Sequence, residues 1–123
     1  IRGTCDKARL LDLFENFLLF DGSGDTVVKL MAKNHQYIGV NKVVARARNL
    51  QDMKQKLGVF WHTQGSGKSY SMVFMCQKIL RKFGGGITFL MVVDRSELEN
   101  QLYDTFTGVG AVTEKNVRAT SRK

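Results

Sequence analysis

Gly65, Gly67, Lys68 and Ser69 stand directly behind the short apolar run "LGVFW" of residues 57–61. A glycine-rich turn of this spacing points its backbone N–H groups inward and cradles phosphate oxygens. It does so where the turn feeds a helix N-terminus whose dipole also favours anions. In that arrangement Lys68 reaches the β- and γ-phosphates of a nucleotide and Ser69 sets its hydroxyl on Mg²⁺. Thr63, Gln64 and Ser66 fill the rest of the loop and offer side-chain hydrogen bonds, although structural roles suit them equally. A lysine at a helix start opposes the dipole unless an anion is present. The usual spacing places another glycine where this chain has His62. The loop must therefore be supported by its context, a strand before it and an amphipathic helix after it.

The elements around the loop supply that context. Residues 68–83 carry Met72, Val73, Cys76, Ile79, Leu80 and Phe83 at helical spacing, and the glycines at 84–86 end the helix. Val59–Trp61 reads as a short strand, with Trp61 as a core residue under the loop. "ITFLMVV" at 87–93 is continuously apolar and β-branched, as a strand covered on both faces would be. A helix with Leu98, Leu102 and Phe106 on one side comes next, and Ser96 with Glu99 or Asp94 with Glu97 offers it a capping box.

Upstream, Leu10, Phe14, Phe17 and Leu18 predict a helix over 7–19, "DGSGD" a turn and "TVVKLM" at 26–31 a strand. Val40, Val43, Val44, Ala47 and Leu50 predict another helix over 35–56, with Lys42, Arg46 and Lys54 on its other faces, which suit solvent more than a DNA contact. Strand, loop, helix, strand, helix is an α/β unit whose strands lie parallel through a right-handed crossover.

Composition narrows the partners. The 123 residues make one domain or part of one, long enough to bury roughly two-thirds of the unfolded surface. Nineteen basic against eleven acidic residues give a formal charge of +8, which suits a polyanion such as nucleic acid or nucleotide, or a solubilising surface. No apolar run approaches the roughly 18–20 residues of a membrane span. Cys5 and Cys76 lack metal-ligand spacing, as do His35 and His62, so neither a disulfide framework nor zinc is expected. Cys76 sits on the apolar helix face, and a reducing cytoplasm is the expected compartment. The chain opens on Ile1 and ends on "RATSRK", as a piece of something longer would.

Two readings meet at Asp94. As the acid closing an apolar strand it would hold Mg²⁺ in a small nucleotide kinase or GTPase; otherwise it caps a helix. The string around it, "VVDRSELENQL", resembles motif Ia of superfamily two helicases and translocases (P-T-R-E-L-x-x-Q), with Glu97, Leu98 and Gln101 matching and Asp94 in place of proline. "HQYIGVNKVV" at 35–44 resembles the Q-motif region of the same motors. There the amide of Gln36 would read adenine, accepting from the N6 amine and donating to N7.

With "WHTQGSGKS", these strings resemble the motor region of the R subunit of type I restriction–modification enzymes over roughly residues 7–110. The resemblance accounts for His62 in place of glycine. It implies a partial RecA-like lobe of parallel strands and flanking helices, with residues 1–33 ahead of the motor and 34–123 its incomplete amino-terminal part. It implies an ATP-driven translocase of double-stranded DNA that works with Mg²⁺ and with methyltransferase and specificity subunits. On it, Gln36 and Thr63–Ser69 hold the nucleotide, while Arg95 and Ser96 touch the DNA backbone. The Walker B acid, the arginine finger and the nuclease site of that family are not found in these residues. A non-catalytic piece kept for subunit contacts is the remaining alternative, and an apolar sheet edge would then stand exposed.

Overall fold

The computed structural model describes residues 5–50, 54–84 and 86–112. Four helices and one hairpin run in the order α1 (Lys7–Asn16), β1 (Leu18–Asp21), β2 (Val28–Met31), α2 (Asn34–Arg48), α3 (Lys68–Phe83) and α4 (Ser96–Gly108).

Asp6 starts α1: its carboxylate accepts the Arg9 N–H at 3.0 Å, satisfying one of the donors a helix start leaves over. The helix expected to reach Leu19 stops at Asn16, and the buried Phe17 caps it through an N–H bond to the Leu13 carbonyl. Leu18–Asp21 then pairs antiparallel with Val28–Met31, Leu19 opposite Leu30 and Phe20 opposite Lys29. The run Phe17–Phe20 is apolar throughout, so helical and extended periods fit it equally and only a partner strand decides. The Ala32 N–H extends the pairing by one bond to the Phe17 carbonyl.

Helix α2 ends at Arg48 rather than continuing to residue 56. Lys54 and Gln55 take left-handed φ angles of 50° and 59°, which a helix interior does not accept; residues 51–53 lie outside the described ones. Helix α3 matches its expected bounds, with Gly84 as its C-cap. Helix α4 begins at Ser96, but neither expected capping box forms: Arg95 is the N-cap and makes no side-chain cap bond. Glu97 and Glu99 in the first turn complement the dipole instead.

The largest departure concerns the parallel strands. Among the described residues the only sheet is the hairpin, and segments 57–63 and 87–93 have no ladder partner. Trp61, expected in the core, is 87% exposed beside Val59 at 89%, and Leu90 and Val92 are 82% and 85% exposed. Composition supplies a surface suited to a strand, but a strand exists only through the hydrogen bonds of a neighbour.

The core lies where α2 runs along α3. Val40 and Val44 meet Val73, Phe74, Cys76 and Ile79, closed by Leu13, Phe17, Leu19 and Phe106. The Phe17 ring lies 5.6 Å from Phe74 and 4.8 Å from Tyr37. Burial pushes the Cys76 thiol up to about 11, which suits a packed group and not a reactive thiolate.

One charge enters this interior. Lys78 of α3 is 4% exposed, and its ammonium holds both oxygens of Asp12 on α1 at 2.5 and 2.6 Å and the Asn41 Oδ1 on α2 at 2.6 Å. It also lies 4.8 Å from the centre of the Phe17 ring. Asn16 donates to Asp12 at 2.8 Å. Three helices are thus joined by one fully bonded buried cation, the condition under which such a charge is tolerated.

Candidate nucleotide site

The loop before α3 is built by its glycines. Gly65 and Gly67 have φ of +76° and +82°, in the left-handed region that residues with a Cβ rarely occupy. Gly67 is the N-cap of α3, so Lys68 and Ser69 are its first two helical residues. Among the described residues, the backbone N–H groups of Gly65, Gly67, Lys68 and Ser69 have no protein acceptor. That leaves a row of donors at a positive helix end.

The carbonyls of the loop are, by contrast, heavily used. Gly67 O accepts the Ser71 N–H at 3.0 Å, the Ser71 hydroxyl at 3.1 Å and the Gln36 Nε2 at 2.9 Å. Lys68 folds over the loop, its ammonium donating to the His62 and Thr63 carbonyls at 3.1 and 2.9 Å. One of its three N–H groups remains. The Ser66 hydroxyl is buried without a partner. Unpaired backbone donors beside carbonyls that are already bonded fit a phosphate, and the unpartnered Ser66 hydroxyl offers a further polar contact. The Ser69 hydroxyl, with no protein bond among the described residues, is the group suited to Mg²⁺.

Gln36 is buried, and both ends of its amide are engaged. Its oxygen accepts the Lys33 N–H at 2.8 Å at the start of α2, and its nitrogen holds Gly67. The residue expected to read adenine is therefore also a brace between α2 and the loop, with one N–H and one lone pair left over. His35 adds a second brace that the sequence offered no sign of. Its Nε2 lies 3.2 Å from the Ser66 carbonyl, and its ring sits edge-on to His62 with centres 4.8 Å apart. His62 in turn packs on Phe60 at 4.4 Å. The residue standing in the glycine position thus anchors the loop to α2.

A cavity of about 560 Å³ opens between α2, α3 and residues 57–62, lined by Gly39, Arg46, Phe60, His62, Lys68 and Met72 among others. Gly65, Ser66, Gly67 and Ser69 do not line it, so it backs the loop and is not the phosphate seat. Within that lining Arg46 donates to the Leu57 carbonyl at 2.9 Å.

Arg95 and Ser96 are brought to the exposed start of α4. No hydrogen bond or ion pair among the described residues joins them to the loop. Asp94 lies exposed in a bend just before them, without a bond to Ser69.

A family model for the SWI2/SNF2 ATPase matches residues 35–123, from the start of α2 through the loop and α4. This chain belongs to the SWI2/SNF2 ATPase family. Among curated proteins it is 40% identical, over 112 residues, to the type I restriction enzyme HindI endonuclease subunit of Haemophilus influenzae, covering 87% of this chain and 10% of that protein. It is 30% identical over 123 residues to a putative type I restriction enzyme MjaIXP endonuclease subunit of Methanocaldococcus jannaschii, covering 94% and 11%. This SWI2/SNF2 chain therefore spans about a tenth of the length of these relatives. No solved structure matches it. Among the described residues no helix is long and apolar enough to cross a membrane.

Proposed function

We propose that this chain is the ATP-binding part of the DNA-translocating motor of a type I restriction endonuclease R subunit, acting in the cytoplasm with methyltransferase and specificity subunits. The observation that carries the reading is the set of backbone N–H groups of Gly65, Gly67, Lys68 and Ser69, unaccepted among the described residues, at the helix start where Lys68 folds over the loop. In it, the loop and Lys68 bind the triphosphate, Ser69 holds Mg²⁺ and Gln36 reads adenine with its remaining valences. Bound Mg²⁺ supplies charge neutralisation at the phosphates. Residues 1–33 precede the motor, and 34–123 form the amino-terminal part of its first RecA-like lobe. Segments 59–61 and 87–93 take parallel strand partners in the whole subunit, which would cover Val59, Trp61, Leu90 and Val92. Arg95 and Ser96, exposed at a helix start, lie along the DNA backbone.

Phosphoryl transfer depends almost wholly on positioned charge. The 123-residue chain alone is therefore expected to show no DNA-stimulated ATP hydrolysis, whereas the full-length subunit with its partners hydrolyses ATP in response to duplex DNA. A phosphate-release assay on both decides it. Turnover by the chain alone that is lost in Asp94→Asn would instead favour a small kinase or GTPase.

A further inference from the structure

The turn after β1 is wedged between the beginning of α3 and the end of α4. Tyr70, the residue after Ser69, donates its hydroxyl to the Asp21 Oδ2 at 2.7 Å. The other oxygen of Asp21 accepts the Ser23 N–H at 3.0 Å, which fixes the turn. The Gly22 N–H donates to the Gly108 carbonyl at 2.9 Å, in the last residue of α4. The fit is close: a Cβ on Gly108 would stand 2.7 Å from the Asp21 Oδ1 and 3.1 Å from the Ser23 Cβ. The hydrogen bond to Asp21 and burial raise the Tyr70 phenol to about 12. Bonds from Ser23 and Tyr70 hold the Asp21 carboxyl below its ordinary value. The link is thus a neutral hydroxyl on a charged acceptor throughout the neutral range.

We propose that Asp21 and Tyr70 are a positioning pair that ties the seating of the first turn of α3 to the placement of α4 through the hairpin turn. This pairing rests on the nucleotide-loop reading of Gly65–Ser69. Lys68 and Ser69 sit two and one residues ahead of Tyr70, so a shift of the helix start on filling the loop moves the Tyr70 hydroxyl. Asp21, the end of β1, and Gly22 are adjacent and bonded to Tyr70 and Gly108 respectively, so that movement reaches Gly108 and, along the α4 axis, Arg95 and Ser96. Apolar packing of Phe106 against the core is non-directional and tolerates sliding; the two hydrogen bonds do not.

The test is steady-state ATP hydrolysis by the full-length subunit with its partner subunits, with and without duplex DNA. Tyr70→Phe keeps the ring and removes only the hydroxyl. It is expected to leave basal turnover and KM for ATP within about twofold while lowering DNA-stimulated kcat about fivefold or more, the size of a typical coupling between sites. Gly108→Ala, which presses on the turn from the other side, is expected to give the same split. Asp21→Ala combined with Tyr70→Phe is expected to lose no more than either alone. An unchanged DNA-stimulated kcat in Tyr70→Phe overturns the proposal, as do additive losses or a rise in KM that matches the loss of turnover. A wild-type subunit without DNA stimulation would instead overturn the motor reading on which it rests.

Discussion

Lys68→Ala in the full-length subunit is expected to weaken ATP binding by about 10- to 100-fold and to abolish translocation. The magnitude is that of one lost hydrogen bond to a charged group. Lys68 is one of several groups that hold the loop. Its two bonds go to the His62 and Thr63 carbonyls, while the turn itself is held by Gln36, His35 and Ser71. On the proposed reading, removing the ammonium takes away the charge that would meet the phosphates, while the bonds from Gln36, His35 and Ser71 still hold the turn. Equilibrium binding of a fluorescent ATP analogue, alongside a DNA translocation assay, reads both effects. Wild-type affinity and translocation in this variant are incompatible with the phosphate-loop assignment.

Asp12→Ala is expected to destabilise the packing of α1 on α3 by about 3 kcal/mol, the low end of the range for breaking a buried pair, because Asp12 keeps some contact with water. The loss falls on the buried Lys78, which would keep Asn41 and the Phe17 and Tyr37 rings but no counter-charge. Hydrogen exchange of α1 and α3 amides in the full-length subunit should then speed up about a hundredfold. Adding Lys78→Met is expected to restore most of the protection, since an apolar replacement for both partners is often neutral or better. A double variant as labile as Asp12→Ala would show that shape and not charge was lost.

The same pair sets an acid limit. Burial opposes ionisation of Asp12, but bonds from Lys78, Asn16 and Tyr37 outweigh it and hold the carboxyl below its ordinary 3.8. A carboxyl lowered on folding contributes stability above its unfolded value, lost as pH falls through the folded one. Protection of α1 is thus expected to be flat through neutral pH and to fall below about pH 4.

Whatever depends on local chemistry was legible in the sequence. The turn at 65–67 is written in residue types, because glycine readily takes the positive φ angles found at Gly65 and Gly67. The bounds of α3 were legible because its apolar stripe, loop and terminal glycines agree. The segments expected as strands at 59–61 and 87–93 form no ladder among the described residues. β-Branched and aromatic residues make a surface suited to a sheet, yet pairing is a property of a partner, and no periodicity reports one. The β1 strand was missed for the same reason, since nothing in Phe17–Phe20 separates a helix end from a strand until Val28–Met31 is laid beside it. Lys78 gave no sign at all. A lysine on the polar side of a helical stripe looks solvated, and the carboxylate that receives it lies 66 residues away. The brace by His35 and the Tyr70–Asp21 bond are likewise long-range pairings of ordinary residues.

Amide protection at the loop tests the central claim most directly. With Mg²⁺ and ATP added to the full-length subunit, hydrogen exchange at Gly65, Gly67, Lys68 and Ser69 is expected to slow by at least about tenfold, because these N–H groups have no acceptor among the described residues and would gain phosphate oxygens. The effect should disappear with Lys68→Ala at the same ATP concentration. ATP binding that leaves those four amides exchanging as before would place the phosphates elsewhere and contradict the account.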